Sequence, residues 1–186
     1  MKFLLLLLLS FGAYADNSIN IEQIGDNNQY TIHQEYNGKT TNIILGKIAP
    51  SDNNTISITQ QDTGSHSASV ELPNGINNGV SIVQSGSGNQ TTSIQNFIGS
   101  SNNISINQSG SSNNTFNVIG TNTNNANTIS ATQSGITGAD KSFTLNMNGT
   151  NGANVTVQQT NPTQSNVGSM SIQCYTGCSN YSYIRN

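Results

Sequence analysis

The chain has 186 residues, of which only 7% are charged, and its formal net charge is −3 at pH 7. It has no basic cluster, which argues against nucleic acid or an anionic lipid surface as a partner. Its richness in Asn, Ser, Thr, Gly and Gln would suit a disordered linker. The hydrophobic residues are placed regularly, however, and this regularity favours a folded structure.

The first fifteen residues have the composition of a secretory signal peptide. Lys2 gives a basic start, residues 3–11 form a leucine-rich apolar run, and residues 13–15 match a small-x-small cleavage site. The run is shorter than a helix that crosses a bilayer. We therefore expect cleavage before Asp16 and secretion, without membrane insertion. An uncleaved membrane anchor is the alternative.

Six copies of one short pattern follow: apolar, any, apolar, any, Gln. The copies start at Ile19, Ile56, Val80, Ile104, Ile129 and Val155, and they end at Gln23, Gln60, Gln84, Gln108, Gln133 and Gln159. Period-two alternation of β-branched residues predicts a strand with one buried face. Within each copy, the two apolar side chains and the Gln point to the same side.

Each copy leads into a turn and then into a second alternating strand. The turn glycines are Gly25, Gly86, Gly110 and Gly135. The second strands carry the pairs Tyr30/Ile32, Ala68/Val70, Thr92/Ile94, Phe116/Val118, Phe143/Leu145 and Met170/Ile172. One unit is therefore strand, turn, strand, turn, in about two dozen residues on the scale of known solenoid repeats.

Stacking these units is the way for them to bury their apolar faces, because an isolated strand pair is too small to do so in water. The sequence predicts an all-β fold, a solenoid of about six rungs in which first strands stack on first strands and second strands on second strands. Two parallel sheets then enclose a narrow core across residues 16–186. Rungs spaced by about 4.8 Å give a column roughly 30 Å tall.

The glutamines have a physical role in such a stack. Each side-chain amide can donate to the carbonyl of the Gln one rung away, which gives a ladder along the axis. An inward amide without a partner would cost about 1–3 kcal/mol, so the ladder also penalises a slip of register. Solvent-facing glutamines are the alternative.

The interval between the first two copies is longer than the others, 37 residues against 24 to 26. It contains the apolar residues of 41–45, then Gly46 and Pro50. An extra half-rung or a surface insertion would account for the added length. We favour an irregular insertion, because Gly and Pro interrupt strand pairing.

The repeats resemble those of curlin, the subunit of bacterial curli, with the pattern Gln-x-Gly-x-Gly-Asn-x-Ala-x3-Gln. The third unit matches at Gln84, Gly86, Gly88, Asn89 and Gln95, with Thr91 in place of Ala. Other matching positions are Gln23, Gly25, Asn28 and Gln34 in the first unit, Gln108, Gly110 and Asn113 in the fourth, and Gln133 and Gly135 in the fifth. The resemblance covers essentially the whole chain after residue 15.

The resemblance implies a secreted structural subunit that polymerises with itself into extracellular amyloid fibres for adhesion and biofilm matrix. It also implies two further partners, a nucleating or major curlin-like subunit and an outer-membrane export channel. The Gln and Asn positions of the motif would then stack during self-assembly. A nucleating or capping minor subunit is one alternative. A monomeric solenoid, either an adhesin or an ice-binding module, is another, although Thr-x-Thr occurs only in scattered places.

Cys174 and Cys178 are the only thiols of the chain. In an exported protein, two cysteines separated by three residues most simply form a disulfide across a turn. A link between subunits and a metal site are the alternatives, but His33 and His66 lie far away in the sequence. The nearby tyrosines are expected to cover the last rung, with an adhesive contact as the alternative; they are Tyr175, Tyr181 and Tyr183.

No catalytic pattern is present in the sequence. The eight carboxylates are scattered along the chain, and no Ser–His–Asp arrangement is evident. We therefore expect a protein that is not an enzyme and that needs neither a cofactor nor a metal.

Overall fold

A computed structural model of the chain describes residues 17–46, 51–72, 74–95 and 97–186. The expected signal peptide lies outside the described residues. The described part contains fourteen strands: β1 (Ser18–Gln23), β2 (Gln29–Gln34), β3 (Thr40–Leu45), β4 (Thr55–Gln60), β5 (Ser67–Leu72), β6 (Gly79–Gln84), β7 (Gln90–Gln95), β8 (Asn103–Gly110), β9 (Asn114–Thr121), β10 (Thr128–Gly135), β11 (Lys141–Asn148), β12 (Asn154–Gln159), β13 (Asn166–Gln173) and β14 (Asn180–Arg185).

The strands form two seven-stranded parallel sheets. Sheet A contains the odd-numbered strands in the order β1-β3-β5-β7-β9-β11-β13, and sheet B contains the even-numbered strands in the order β2-β4-β6-β8-β10-β12-β14. Each strand pairs with the strands two places before and after it in the chain. The chain therefore coils through about six turns, and the predicted all-β solenoid with two parallel sheets is confirmed.

The core lies between the sheets and consists of columns of equivalent side chains. Ile58, Ile82 and Ile106 occupy paired positions of β4, β6 and β8, and each is at most 1% exposed. Across the core, Ile94 and Val118 of sheet A are also fully buried. Most outward residues of β6 and β8 are polar, with Val83 as an exception, and all of them are at least partly exposed. The period-two pattern of the sequence thus selects which face of each strand is buried.

The first repeat differs from its predicted position. Ile19–Gln23 lies in sheet A and pairs with β3, whereas the equivalent segments of the other five copies lie in sheet B. The strand that pairs with β4 of the second copy is β2. The rule that first strands stack on first strands consequently fails between the first two copies.

The cause is the long interval after the first repeat. Thr40–Leu45 is a regular strand, β3, paired with β1 on one side and β5 on the other. The expectation of an irregular insertion was wrong, and the extra half-rung is the arrangement observed. Ile43 and Leu45 point inward and are buried, so this segment contributes to the core like any other strand. Pro50 lies outside the described residues.

Candidate functional site

A continuous ladder of glutamine amides runs along the inner side of sheet B. Its members are Gln34, Gln60, Gln84, Gln108, Gln133 and Gln159. In every step Nε2 donates to Oε1 of the Gln on the next rung toward the C-terminus, over 2.7 to 3.0 Å. All members except Gln34 are fully buried.

Each buried amide of the ladder also hydrogen-bonds to the opposite sheet. Gln108 shows the arrangement: its Nε2 donates to the carbonyl of Thr91 at 2.9 Å, and its Oε1 accepts from the hydroxyl of Thr92 at 2.8 Å. Both N–H groups of the amide and its oxygen therefore have protein partners at a fully buried position. The ladder holds the two sheets together as well as the rungs.

Two glutamines of the predicted ladder lie elsewhere. Gln23 is on β1 in sheet A, is exposed, and donates to the carbonyl of Gly25 within its own turn. The half-rung β3 moves it to the sheet opposite the ladder, and Gln34 takes the first position instead. Gln95 is at the exposed end of β7, paired in register with Ile119, so it too lies outside the ladder.

A second ladder consists of asparagines at the turns that lead into sheet B. Its members are Asn28, Asn54, Asn78, Asn102 and Asn127. The Oδ1 of each of the first four accepts two hydrogen bonds from the next Asn, one from its backbone N–H and one from its Nδ2, as between Asn54 and Asn78 at 2.9 and 3.1 Å. The Oδ1 of Asn127 accepts from the backbone N–H of Ala153. Four of the five are at most 1% exposed; they are Asn54, Asn78, Asn102 and Asn127.

The motif asparagines Asn89 and Asn113 do not belong to this ladder with Asn28. They lie on the opposite edge of the column, at the turns that lead into sheet A, and both are exposed. The backbone N–H of Asn89 donates to Oδ1 of Asn113 at 3.1 Å, and the N–H of Asn113 donates to Asp140 at 2.9 Å. They stack through surface hydrogen bonds, so the predicted set divides into two columns.

The turn glycines allow successive turns to stack closely. Gly25, Gly86 and Gly110 have positive φ angles, whereas Gly135 does not. A Cβ atom on Gly86 would lie 2.2 Å from the carbonyl oxygen of Gly110, which leaves no space for a side chain. The motif glycine Gly88 is tighter still, at 1.9 Å from the carbonyl oxygen of Ser112. Glycine at these positions is therefore required by the spacing of the rungs.

The turns into sheet A enclose a third inward column, which includes two buried lysines. The Lys39 ammonium donates to the carbonyls of Asp62 at 2.8 Å and of Gly64, and the Lys141 ammonium donates to the carbonyl of Ala139 at 2.6 Å. Burial lowers the pKa of both lysines, and in each case a nearby aspartate, Asp62 or Asp140, opposes the shift. Backbone carbonyls thus replace the water that a lysine normally binds.

His66 occupies the rung next to Lys39 in the same column. Its Nε2 lies 2.7 Å from the carbonyl oxygen of Gln61, and the ring is 1% exposed. Burial is the main cause that lowers the pKa of His66, and the charge of Lys39 acts in the same direction. The neutral imidazole is therefore the form that the fold favours.

The two ends of the solenoid differ from its middle. At the N-terminal end, the inward residues Ile19 and Ile21 of β1 are 52% and 42% exposed. At the C-terminal end, the inward residues Met170, Tyr181 and Tyr183 of the last two strands are only partly buried, and the outward residues Val167 and Ile184 are 82% and 54% exposed. Among the described residues no strand pairs with the outer edges of β1, β2, β13 or β14. Both ends therefore present unpaired backbone groups beside apolar side chains.

The C-terminal segment contains the predicted disulfide, Cys174–Cys178, within a turn between β13 and β14. Tyr181 and Tyr183 lie on β14 and pack against the core, with the Tyr183 ring 4.8 Å from that of Phe143. Because β14 belongs to the last rung, these tyrosines cover Val155 and Val157 of the rung before it, and the expectation that they would cover the last rung was wrong. Tyr175 is 61% exposed and takes no part in this cover.

Within the described ranges, no three His, Cys, Asp or Glu residues lie close enough together to bind a metal ion. The same ranges contain no helix that is long and apolar enough to cross a bilayer.

Comparison with known proteins found no matching family model, no matching curated protein and no matching solved structure. The fold and its ladders define this chain as a parallel β-solenoid.

The repeats predict the Gln ladder. They do not predict the buried Asn ladder or the lysine column. The signal for the Asn ladder is an Asn one residue before the first strand position, at Asn54, Asn78, Asn102 and Asn127, two residues before each apolar start. Lys39 and Lys141 carry no comparable signal, because lysine is ordinarily exposed and only the stacking of turns shows that these two are enclosed.

Proposed function

We propose that this chain is a structural subunit that adds end to end to copies of itself and forms fibres of the curlin type. The observation that supports the proposal most directly is that, in the part of the chain that the structure describes, no further strand covers either end of the regular stack. An unpaired parallel edge beside exposed Ile19 and Ile21 is a template for another strand. Stacked identical amides are a feature of cross-β assemblies.

The remaining parts of the proposal come from the resemblance to curlin. They are secretion after removal of residues 1–15, a place in an extracellular surface fibre, and a role in adhesion and biofilm matrix. A nucleating or major curlin-like subunit and an outer-membrane export channel would be its further partners. The scarcity of charged residues is in keeping with a structural role.

The test is whether the purified chain forms thioflavin-positive fibres with a cross-β diffraction pattern. The proposal expects fibres whose growth is seeded by preformed fibres. A chain that stays monomeric at high concentration would contradict it.

Two variants of the same strand sharpen this test. Ile21→Lys places a charge on the inward side of the first rung, where another copy would have to bury it, and should stop elongation. Asn20→Lys places the same charge on the outward side of β1, where only a surface hydrogen bond to Asn42 is lost, and should leave elongation nearly unchanged. Equal behaviour of the two variants would count against growth through this end.

A monomeric binding module is the second candidate, and one feature of sheet B favours it. A column of hydroxyls runs along the outer face, one on each of the seven strands of sheet B: Thr31, Ser57, Ser81, Ser105, Ser130, Thr156 and Ser182. A flat, uncharged hydroxyl array could contact a regular surface such as ice or a polysaccharide. Loss of binding in Ser105→Lys, in a chain that never forms fibres, would support this candidate instead.

A further inference from the structure

The two ends of the glutamine ladder are chemically different. At the N-terminal end, Gln34 donates through Nε2 to Gln60, and none of the described residues donates to its Oε1. At the C-terminal end, the position that pairs with Gln159 is occupied by Arg185. A guanidinium has only donors, so it cannot accept from Gln159. Gln159 donates instead to Oδ1 of Asn166 at 3.0 Å.

The ladder therefore ends in a free acceptor on one side and a group of free donors on the other. Arg185 is exposed and borders an open pocket of about 290 Å³ that Asn161, Gln164 and Asn166 also line. The described residues offer the guanidinium no hydrogen-bond partner, so its N–H groups remain free to donate to a partner molecule.

The charged side chains are distributed unevenly between the N-terminal and C-terminal parts of the chain. Arg185 is the only charged residue among residues 142–186, and six of the eight acidic residues lie within residues 17–72. Those six are Glu22, Asp26, Glu35, Asp52, Asp62 and Glu71. The N-terminal rung thus carries the carboxylates of Glu22 and Glu35, whereas Arg185 is the charged side chain of the C-terminal rung.

We propose that copies join head to tail, with the C-terminal rung of one on the N-terminal rung of the next, in a register set by Arg185 over Gln34. This inference rests on the proposed function and specifies its contact. Continuing the parallel pairing places β14 on β2 of the next copy, so that Tyr183 covers Ile32 and Tyr181 covers Tyr30. The guanidinium then donates to Oε1 of Gln34 and lies beside Glu35.

Contacts between like ends are disfavoured by like charges, by unmatched hydrogen-bonding groups and by strand direction. Two N-terminal ends would bring together two sets of carboxylates and two Gln34 amide oxygens, which can only accept, and two C-terminal ends would bring together two guanidinium groups, which can only donate. Either contact would also reverse the strand direction, whereas every pair in the described solenoid is parallel. Head-to-tail contact alone continues the register and pairs donor with acceptor.

Cysteine cross-linking in assembled fibres tests the register. Thr31→Cys and Ser182→Cys are on the outward sides of β2 and β14, and the proposed contact places them directly opposite each other, within reach of a disulfide. Fibres of either single variant should give no cross-linked dimer. Fibres grown from a mixture of the two should give dimers, and a chain with both changes should give long cross-linked series. Ser105→Cys, in the middle of the same outer column, is the control for contacts between the sides of fibres and should remain unlinked.

Dimers within either single variant would overturn the head-to-tail arrangement. Unlinked fibres from the mixture would overturn the register. In both cases the formation of fibres would still support the proposed function. Failure of the unchanged chain to form fibres would instead refute the proposed function and this inference together.

Variants of Arg185 and Gln34, the two ends of the ladder, test whether these side chains contact each other between copies. Arg185→Glu should slow elongation at least about tenfold, because it opposes carboxylates across the contact and leaves Gln34 without a donor. Adding Gln34→Arg to that variant restores a donor opposite the new carboxylate and should recover most of the rate. Arg185→Gln should elongate at nearly the original rate, since an amide continues the ladder. An unchanged rate in Arg185→Glu, or no recovery in the double variant, would refute this contact.

Discussion

The middle rungs and the terminal rungs are built from the same repeat, yet they differ in how their polar groups are satisfied. Gln108 in the middle is fully buried and has a Gln partner on both sides. Gln34 at the N-terminal end has one such partner, and Gln23 on the first strand has none. Because each rung is completed by its neighbours, the same side chain is part of the core in one place and a contact surface in another.

Side chains of the middle rungs therefore stabilise the folded chain, whereas the equivalent side chains of the terminal rungs are available for contact with another copy. Substitutions in the middle rungs should destabilise the folded chain, whereas substitutions of equivalent residues in the terminal rungs should mainly affect the addition of further copies.

The largest difference is expected in the column that contains both Phe116 and Ile19. Phe116 is fully buried and stacks on Phe143 with ring centroids 5.6 Å apart, whereas Ile19 is 52% exposed. Phe116→Ala should lower the free energy of unfolding by about 3–5 kcal/mol, and Ile19→Ala by less than about 1 kcal/mol. Denaturant unfolding of the monomer measures both. Equal losses would mean that the first rung is as well packed as the middle.

The second largest change in the free energy of unfolding is expected in the Gln ladder. Gln108→Leu removes the partner of Gln84 and of Gln133 and leaves buried polar atoms unpaired, so it should cost about 2–4 kcal/mol. Gln23→Leu changes an exposed side chain outside the ladder and should alter the free energy of unfolding by no more than about 0.5 kcal/mol. A large loss for Gln23→Leu, measured in the same way, would contradict the assignment of Gln34 as the first member.

The stacking of turns gives a smaller effect. Gly88→Ala brings a methyl group against the backbone of Ser112 and should cost about 1–3 kcal/mol. Gly79→Ala is the matched control, because a Cβ there meets only the Asn103 side chain, at an ordinary 3.4 Å, and neither glycine has a positive φ. Thermal unfolding of the two variants should show a clear fall of Tm for Gly88→Ala alone.

The smallest expected effect is a pH dependence that comes from His66. Burial lowers the pKa of His66 in the folded state, so the unfolded chain binds the proton more readily. The free energy of unfolding should therefore be constant above the ordinary histidine pKa of about 6.5 and fall as the pH drops below it. His66→Gln should flatten this part of the curve. A profile that stays the same in this variant would assign the pH dependence to other groups.

Much of the solenoid follows from the sequence, because each strand pattern repeats and only stacking satisfies it. Gln60, Gln84 and Gln108 share the parity of buried aliphatic residues, which is enough to place them inside. The position of Gln23 could not be predicted in this way, since its local pattern is identical to theirs. Only the pairing of the strand β3 determines which sheet receives the first repeat.

The residues at the ends of the ladder could not be predicted from the sequence, for a different reason. Nothing in the local sequence around Arg185 indicates that it occupies a glutamine position, because its strand has Tyr181 and Tyr183 in place of aliphatic residues. The equivalence comes from the paired register with β12. Side chains at the end of a stack are defined by the rung beneath them more than by their own neighbours in the chain.

Amide hydrogen exchange, compared between the monomer and the assembled state, tests most directly whether the ends of the solenoid template further copies. We predict that the amide hydrogens of β1, β2, β13 and β14 exchange quickly in the monomer and become protected on assembly. Those of the middle strands β7 and β8 should be protected equally in both states. Terminal strands that keep their fast exchange in the assembled material would contradict this prediction.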